Sequence, residues 1–175
     1  MGAREALVRI RRIAEQMRRT SLGSTPAAEP EEMAARHNAD LVVVIERDDD
    51  ARSVIGEVLN FHGYAALLMT TVEEALACVA SIRVPPEAIV LDLDAPGRPG
   101  WQFLAERTRR VALRSIPVLA ISGGDSDDEH RVIAADAEYV PKPLHFDEIV
   151  AGLQRAIARK PGSLPAGRLQ LERNG

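Results

Sequence analysis

The stretch Ala88-Ile-Val-Leu-Asp-Leu-Asp-Ala-Pro-Gly-Arg-Pro-Gly100 restricts the folds open to this chain more than any other. Its apolar run is too short for a helix, stops at Asp92 and gives way to a loop with Pro96, Pro99 and two glycines. A continuous apolar run closed by turn formers reads as a strand buried on both faces, the mark of a parallel sheet covered by helices on either side. An acid at the end of such a strand stands where open α/β sheets bind ligands, outside the carboxyl ends of the strands.

The same unit recurs along the chain. Leu41 to Ile45 is an apolar strand run, and Ala51 to Phe61 carries Val54, Ile55, Val58 and Leu59 at helical spacing until Gly63 stops it. Tyr64 to Met69 predicts a second strand, and Thr70-Thr-Val-Glu73 a capping box opening a helix through Ala75, Leu76, Val79 and Ile82. The third strand ends at Asp92, and its helix is predicted over Gly100 to Val111 with Trp101, Leu104 and Val111 inward. Ile116 to Ile121 predicts the fourth strand, closed by Ser122-Gly-Gly, and Ser126 with Glu129 a capping box for a short helix to Ala135. Ala137 to Val140 predicts the fifth strand, and Phe146, Ile149, Val150, Leu153 and Ile157 mark the last helix. Each parallel crossover needs a helix-sized connection, so the pattern predicts an α/β fold with a doubly wound, five-stranded parallel sheet. For this count we expect the flavodoxin-like order 2-1-3-4-5, whose switch point lies between the first and third strands. Glu46 and Asp92 then become neighbours, and Ser122 and Lys142 end the fourth and fifth strands at the same edge.

The 175 residues, 46% hydrophobic, suffice for one packed domain over 41–158 with two modest extensions. Over residues 1–20, Ala3, Ala6, Ile10, Ile13 and Met17 share one stripe of an added amino-terminal helix. Six arginines against Glu5 and Glu15 make that helix +4 and leave −8 for the rest. Docking or a homodimer seam is the favoured role for it, with a membrane-surface or nucleic-acid helix as the competing one. Residues 21–40 read as a linker and 159–175 as a flexible tail. An acidic body argues against direct binding of nucleic acid. No apolar run approaches bilayer-crossing length and no signal-peptide pattern opens the chain, which predicts a cytoplasmic protein. Cys78, the single cysteine, reads as a packing residue, and His37, His62, His130 and His145 show no metal-ligand spacing.

Over Leu41 to about Ala158 the ordered set Ile45-Glu46, Leu91-Asp92 with Pro96-Gly97 and Gly100, Ile121-Ser122-Gly123 and Tyr139-Val-Pro-Lys142-Pro143 resembles the receiver domain of two-component response regulators. The resemblance implies a stand-alone signalling module, not an enzyme, that accepts a phosphoryl group on Asp92 from a histidine kinase or phosphotransfer protein. Ser122 and Lys142 would be its catalytic neighbours, Lys142–Pro143 a cis bond, and Ser122 with Tyr139 the switch. Glu46 and Asp92, with Asp94, would hold Mg²⁺. A downstream protein or a second copy would bind the face made by the fourth helix, fifth strand and fifth helix. The residue types suit the chemistry, because phosphoryl transfer rests on positioning and on neutralising charge around a carboxylate nucleophile.

One position departs from the family, which usually has two adjacent acids after its first strand where this chain has Glu46 and Arg47. Arg52 supports that register, although a slip using Asp48 or Asp49 remains open. An Arg47 facing the site would bring a fixed charge; two charges ~4 Å apart are worth ~4 kcal/mol at an effective dielectric of about 20. Arg47 would then pair with Asp94 or Asp92 and weaken Mg²⁺ binding. In the opposite arrangement Arg47 turns to solvent and Asp94 supplies the missing metal oxygen. A degenerate receiver acting as a phosphorylation-independent interaction module therefore stands beside the phosphoacceptor. A haloacid dehalogenase-like phosphatase, suggested by Asp92-Leu-Asp94, is disfavoured because that family places the pair after its first core strand.

Overall fold

A computed structural model describes residues 40–82, 84–124 and 126–159. The predicted amino-terminal helix, nearly all of the linker and the tail lie outside the described residues, as does the side chain of Ser126. The chain order is β1 (Leu41–Ile45), α1 (Asp49–Phe61), β2 (Ala65–Met69), α2 (Val72–Ser81), β3 (Ala88–Asp92), α3 (Pro99–Arg107), α4 (Val111–Arg114), β4 (Val118–Ser122), α5 (Ser126–Ala134), β5 (Glu138–Pro141) and α6 (Phe146–Ala158). The five strands form one sheet in the order β2-β1-β3-β4-β5, every pair parallel, as the alternation of elements predicts.

Successive side chains of a strand point to opposite faces, so each central strand feeds two cores. Val43, Ile45, Ile89, Leu91, Val118 and Ala120 pack with Phe103, Leu104 and Val132 on one face. Val42, Val44, Val90, Leu119 and Ile121 pack with Ile55, Leu59, Ile149 and Leu153 on the other. All residues of β1, β3 and β4 are buried, which is why they read as unbroken apolar runs instead of alternating ones.

Three local expectations are corrected. The helix predicted over Gly100 to Val111 stops at Arg107, and Val111, expected inward, opens the separate short helix α4 with 88% of its surface exposed. The reason is Arg107, whose buried guanidinium donates from Nε to Ile116 O at 3.1 Å, from Nη1 to Ala135 O and Asp136 O at 3.1 and 3.2 Å, and from Nη2 to Arg114 O at 3.2 Å. Gathering the loops before β4 and β5 onto one side chain requires the chain to turn immediately after it. That turn also delays β4 to Val118, because the Ile116 N–H closes back on Leu113 O instead of joining the ladder. The capping box of α2 lies one residue later than predicted: Thr71 Oγ1 accepts from Glu74 N at 3.2 Å while Glu74 Oε2 accepts from Thr70 N and Thr71 N. Thr70/Glu73 and Thr71/Glu74 both satisfy the sequence rule, and only the extended backbone at Thr71 decides between them.

Arg107→Met leaves four inward carbonyls without a charged donor, and hydrogen bonds to charged groups are each worth roughly 1.5–3 kcal/mol. We expect the variant to lose about 3 kcal/mol or more of unfolding free energy in urea titration, since α3, α4 and the approaches to β4 and β5 lose their common tie.

Candidate functional site

Four loops meet at the carboxyl edge of the sheet. Asp92 ends β3, is buried, and sits under the first turn of α3, where a Cβ on Gly100 would lie 2.7 Å from the Asp92 carbonyl oxygen. Only glycine permits so close an approach of helix to strand end. Lys142 follows β5; its N–H donates to Ser122 O at 2.8 Å, one step beyond the β4–β5 register, and the Lys142–Pro143 bond is cis. The Lys142 ammonium then reaches Asp92 Oδ1 at 2.7 Å, Asp94 Oδ2 at 3.0 Å and Glu46 Oε2 at 3.9 Å. Glu46, Asp92 and Lys142 are therefore brought together as the strand ends predict.

Ser122 reaches this cluster through Asp94 and not by a direct bond to Asp92. Its hydroxyl stands 2.9 Å from Asp94 Oδ1, and the Gly123 N–H donates to Asp94 Oδ2 at 2.9 Å. Burial raises the Asp94 carboxyl, but the Gly123 N–H, Lys142 and Ser122 outweigh it and hold the group below the ordinary carboxylate value. Burial lowers the Lys142 ammonium, and its bonds to Asp92 and Asp94 outweigh that, so its net shift is upward and it stays protonated. Burial raises Glu46, an Asp48 N–H on Oε1 offsets part of this, and Asp92 adds repulsion; the net shift is upward. Tyr139 packs half-buried against the core with its hydroxyl 3.5 Å from Ser122 O, at the outer limit of a hydrogen bond.

Sequence reasoning missed Asp128. From the first turn of α5 its Oδ2 stands 2.9 Å from the same Ser122 hydroxyl, which also accepts from Gly124 N at 3.0 Å. A hydroxyl has one proton, so it serves Asp94 or Asp128 at a given moment. Gly124 is required here, since a Cβ would overlap Asp128 Oδ2. Asp128 Oδ1 lies 3.6 Å from Arg131, whose guanidinium stacks 3.9 Å over the Trp101 ring. An acid in a first helical turn is expected from the helix dipole alone, so nothing in the sequence separates Asp128 from its neighbours Asp127 and Glu129.

The expectation that Arg47 pairs with Asp92 or Asp94 is overturned. Arg47 is exposed and makes no ion pair with either acid among the described residues, and Lys142 occupies the place foreseen for it. The turn is held by Arg52, whose Nη1 donates to Glu46 O at 2.9 Å and Arg47 O at 3.3 Å. Of the two acids that a slipped register would use, Asp48 caps α1 through Ala51 N at 2.8 Å and Asp49 pairs with Arg52.

Both oxygens of Asp94 are engaged by protein donors, Oδ1 by Ser122 and Oδ2 by Gly123 N–H and Lys142. Among the described residues no group of three or more His, Cys, Asp or Glu is placed to hold a metal ion. Two oxygen donors remain suited to one. Glu46 Oε2 is buried without a hydrogen-bond partner, and Asp92 Oδ2 makes no hydrogen bond among the described residues. Mg²⁺ commonly takes one or two protein carboxylates and completes its shell with water and phosphate oxygens, so the pair fits it.

The family model for the response regulator receiver domain matches residues 42–154, and the chain belongs to that family. Receiver domains are the phosphoacceptor units of two-component signalling and work with histidine kinases or phosphotransfer proteins. The chain is similar to the transcriptional regulatory protein AruR of Pseudomonas aeruginosa, 29% identical over 124 residues covering 67% of this chain and 49% of that protein. It is also similar to the transcriptional regulatory protein KdpE of Mycobacterium tuberculosis, 32% identical over 121 residues covering 68% and 51%. The chain spans about half the length of the curated relatives it matches. A solved receiver domain from a Pseudomonas aeruginosa sensor histidine kinase, with a magnesium ion coordinated in its active-site cleft, matches with a TM-score of 0.59 at 22% identity over 69% of this chain and 98% of that one. At that identity the likeness concerns the fold. No described helix is long and apolar enough to cross a membrane.

Because Glu46 is raised, the folded chain favours its protonated form, and that contribution is fully present below the unfolded value of 4.5 and lost as pH rises through the folded value. Glu46→Gln should accordingly raise the thermal midpoint at pH 7 in a chelating buffer, with the gain fading as the pH falls through the folded value and gone below 4.5. Melting curves across that range check both the sign and the pH dependence.

Proposed function

We propose that the chain accepts a phosphoryl group on Asp92 from the phosphohistidine of a histidine kinase or phosphotransfer protein and signals through protein contacts. The observation that carries this reading is the Lys142 ammonium 2.7 Å from Asp92 Oδ1 at the carboxyl edge of the sheet. Lys142 and the Asp94 N–H at 3.3 Å fix the Asp92 carboxylate, which attacks the phosphorus. A new O–P bond forms as the P–N bond breaks, the electron pair leaves with the imidazole, and the imidazole takes up a proton. Lys142 offsets the charge of the carboxylate and of the arriving oxygens, and the Ser122 hydroxyl and Gly123 N–H are donors within reach of them. Glu46 and Asp92 are the residues that would hold Mg²⁺, whose charge would further neutralise the phosphoryl oxygens.

The switch follows from the same contacts. Ser122 drawn toward the phosphoryl group moves the β4–α5 loop, Tyr139 lies directly beneath its carbonyl, and the surface of α5, β5 and α6 carries the change to a target protein or a second copy. No catalytic turnover is part of this reading, because the product stays on Asp92. A phosphorylation-independent interaction module is the second reading, favoured by one observation: the Ser122, Gly123 and Lys142 donors are already engaged by Asp94.

Incubation with acetyl phosphate and Mg²⁺ should add the mass of one phosphoryl group, mapped to Asp92 and absent from Asp92→Asn. Lys142→Met should slow its formation roughly 10²-fold, the usual effect of removing one charge-stabilising donor. No adduct with or without Mg²⁺ would favour the interaction module.

A further inference from the structure

Asp94 stands out because its carboxylate is bound by three donors from two other loops. Ser122 Oγ serves Oδ1 at 2.9 Å, while Gly123 N at 2.9 Å and Lys142 Nζ at 3.0 Å serve Oδ2. Lys142 bridges Asp94 and the acceptor directly, being 2.7 Å from Asp92 Oδ1. A hydroxyl, a backbone N–H and an ammonium converging on one anionic group is the arrangement that a phosphoryl group on Asp92 needs for its own oxygens. Asp94 lies only two residues beyond Asp92, and its side chain remains 38% exposed, so it can leave the pocket without disturbing the core.

We propose that Asp94 is an internal stand-in for the phosphoryl group, occupying the oxygen sites that phosphorylated Asp92 would use. This rests on the reading of Asp92 as acceptor and specifies how that site is regulated. Two consequences follow from one contact set. The incoming phosphoryl group must displace Asp94, so the apparent affinity for it falls by the fraction of molecules in which Asp94 is swung out. Meanwhile the unphosphorylated chain already holds Ser122 and Gly123 as the phosphorylated one would. The chain is thus set partly toward its signalling state before any phosphate arrives.

The test uses beryllofluoride with Mg²⁺, a phosphoryl analogue that binds without being transferred, on the full chain and on Asp94→Ala, Asp94→Asn and Asp92→Asn, each first checked for an unchanged thermal midpoint. Asp94→Ala should bind the analogue at least about tenfold more tightly. Asp94→Asn, which keeps the shape but has one acceptor oxygen where the carboxylate has two, should fall between it and the unmodified chain. The Gly123 amide proton reports occupancy of the site directly: it should lie downfield in the ligand-free chain, move upfield in Asp94→Ala, and return downfield when that variant takes up beryllofluoride. A simple loss of negative charge would tighten binding without moving that resonance in the ligand-free protein. Binding that depends on Asp92 but is equal or weaker in Asp94→Ala, or a Gly123 resonance unchanged by the substitution, overturns the stand-in role and leaves the acceptor standing. Failure of every folded chain to bind overturns the acceptor reading and this inference with it.

Discussion

The Lys142 ammonium among the carboxylates of Asp92, Asp94 and Glu46 is the interaction on which the site depends. Three acids gathered at one sheet edge repel one another, and without a cation the more buried of them would be driven to protonate. Glu46 shows this pressure, raised by burial and by Asp92, whereas Asp94, closest to donors, is lowered. The lysine is itself kept charged by the acids it holds. Asp94 and Lys142 thus sustain each other's ionisation, which leaves a positive charge beside the Asp92 carboxyl.

The fold supplies that crowding by topology rather than by local chain geometry. Asp92 and Lys142 are 50 residues apart, and Asp94 and Ser122 are 28 apart. They meet because parallel strands end at one edge and the order β2-β1-β3-β4-β5 puts the ends of β1, β3, β4 and β5 side by side. Close backbone approach completes the pocket at two glycines, Gly100 over the Asp92 carbonyl and Gly124 against Asp128. At the opposite edge Arg107 ties the entries to β4 and β5, the two strands that deliver Ser122 and Lys142. Stability of the sheet and placement of the site therefore share the same pair of strands.

Much of this was legible in the residues. The buried runs of β1, β3 and β4, the helical spacing of α1 and α6, and the parallel pairing follow from period and connection length, which are local or nearly local properties, and the strand order is the usual one for five such strands. Errors fell where short-range rules are degenerate: two overlapping capping boxes at Thr70 and Thr71, and an α3 whose apolar spacing continues past the point where Arg107 ends it. Asp128 escaped notice for a similar reason, since an acid in a first helical turn already has an ordinary explanation.

The sequence alone determined the order of elements, the five-stranded parallel sheet, and the convergence of Glu46, Asp92, Ser122 and Lys142 on one edge, because strand ends and side-chain alternation follow from residue pattern. Tertiary structure decided which cation sits among the acids and what Asp94 does. Arg47 and Asp94 are loop residues, and a loop side chain turns toward whichever partners other elements bring within reach. Lys142 arrives from β5, so Arg47 is left to solvent and Asp94 is bound by Ser122, Gly123 and Lys142 instead.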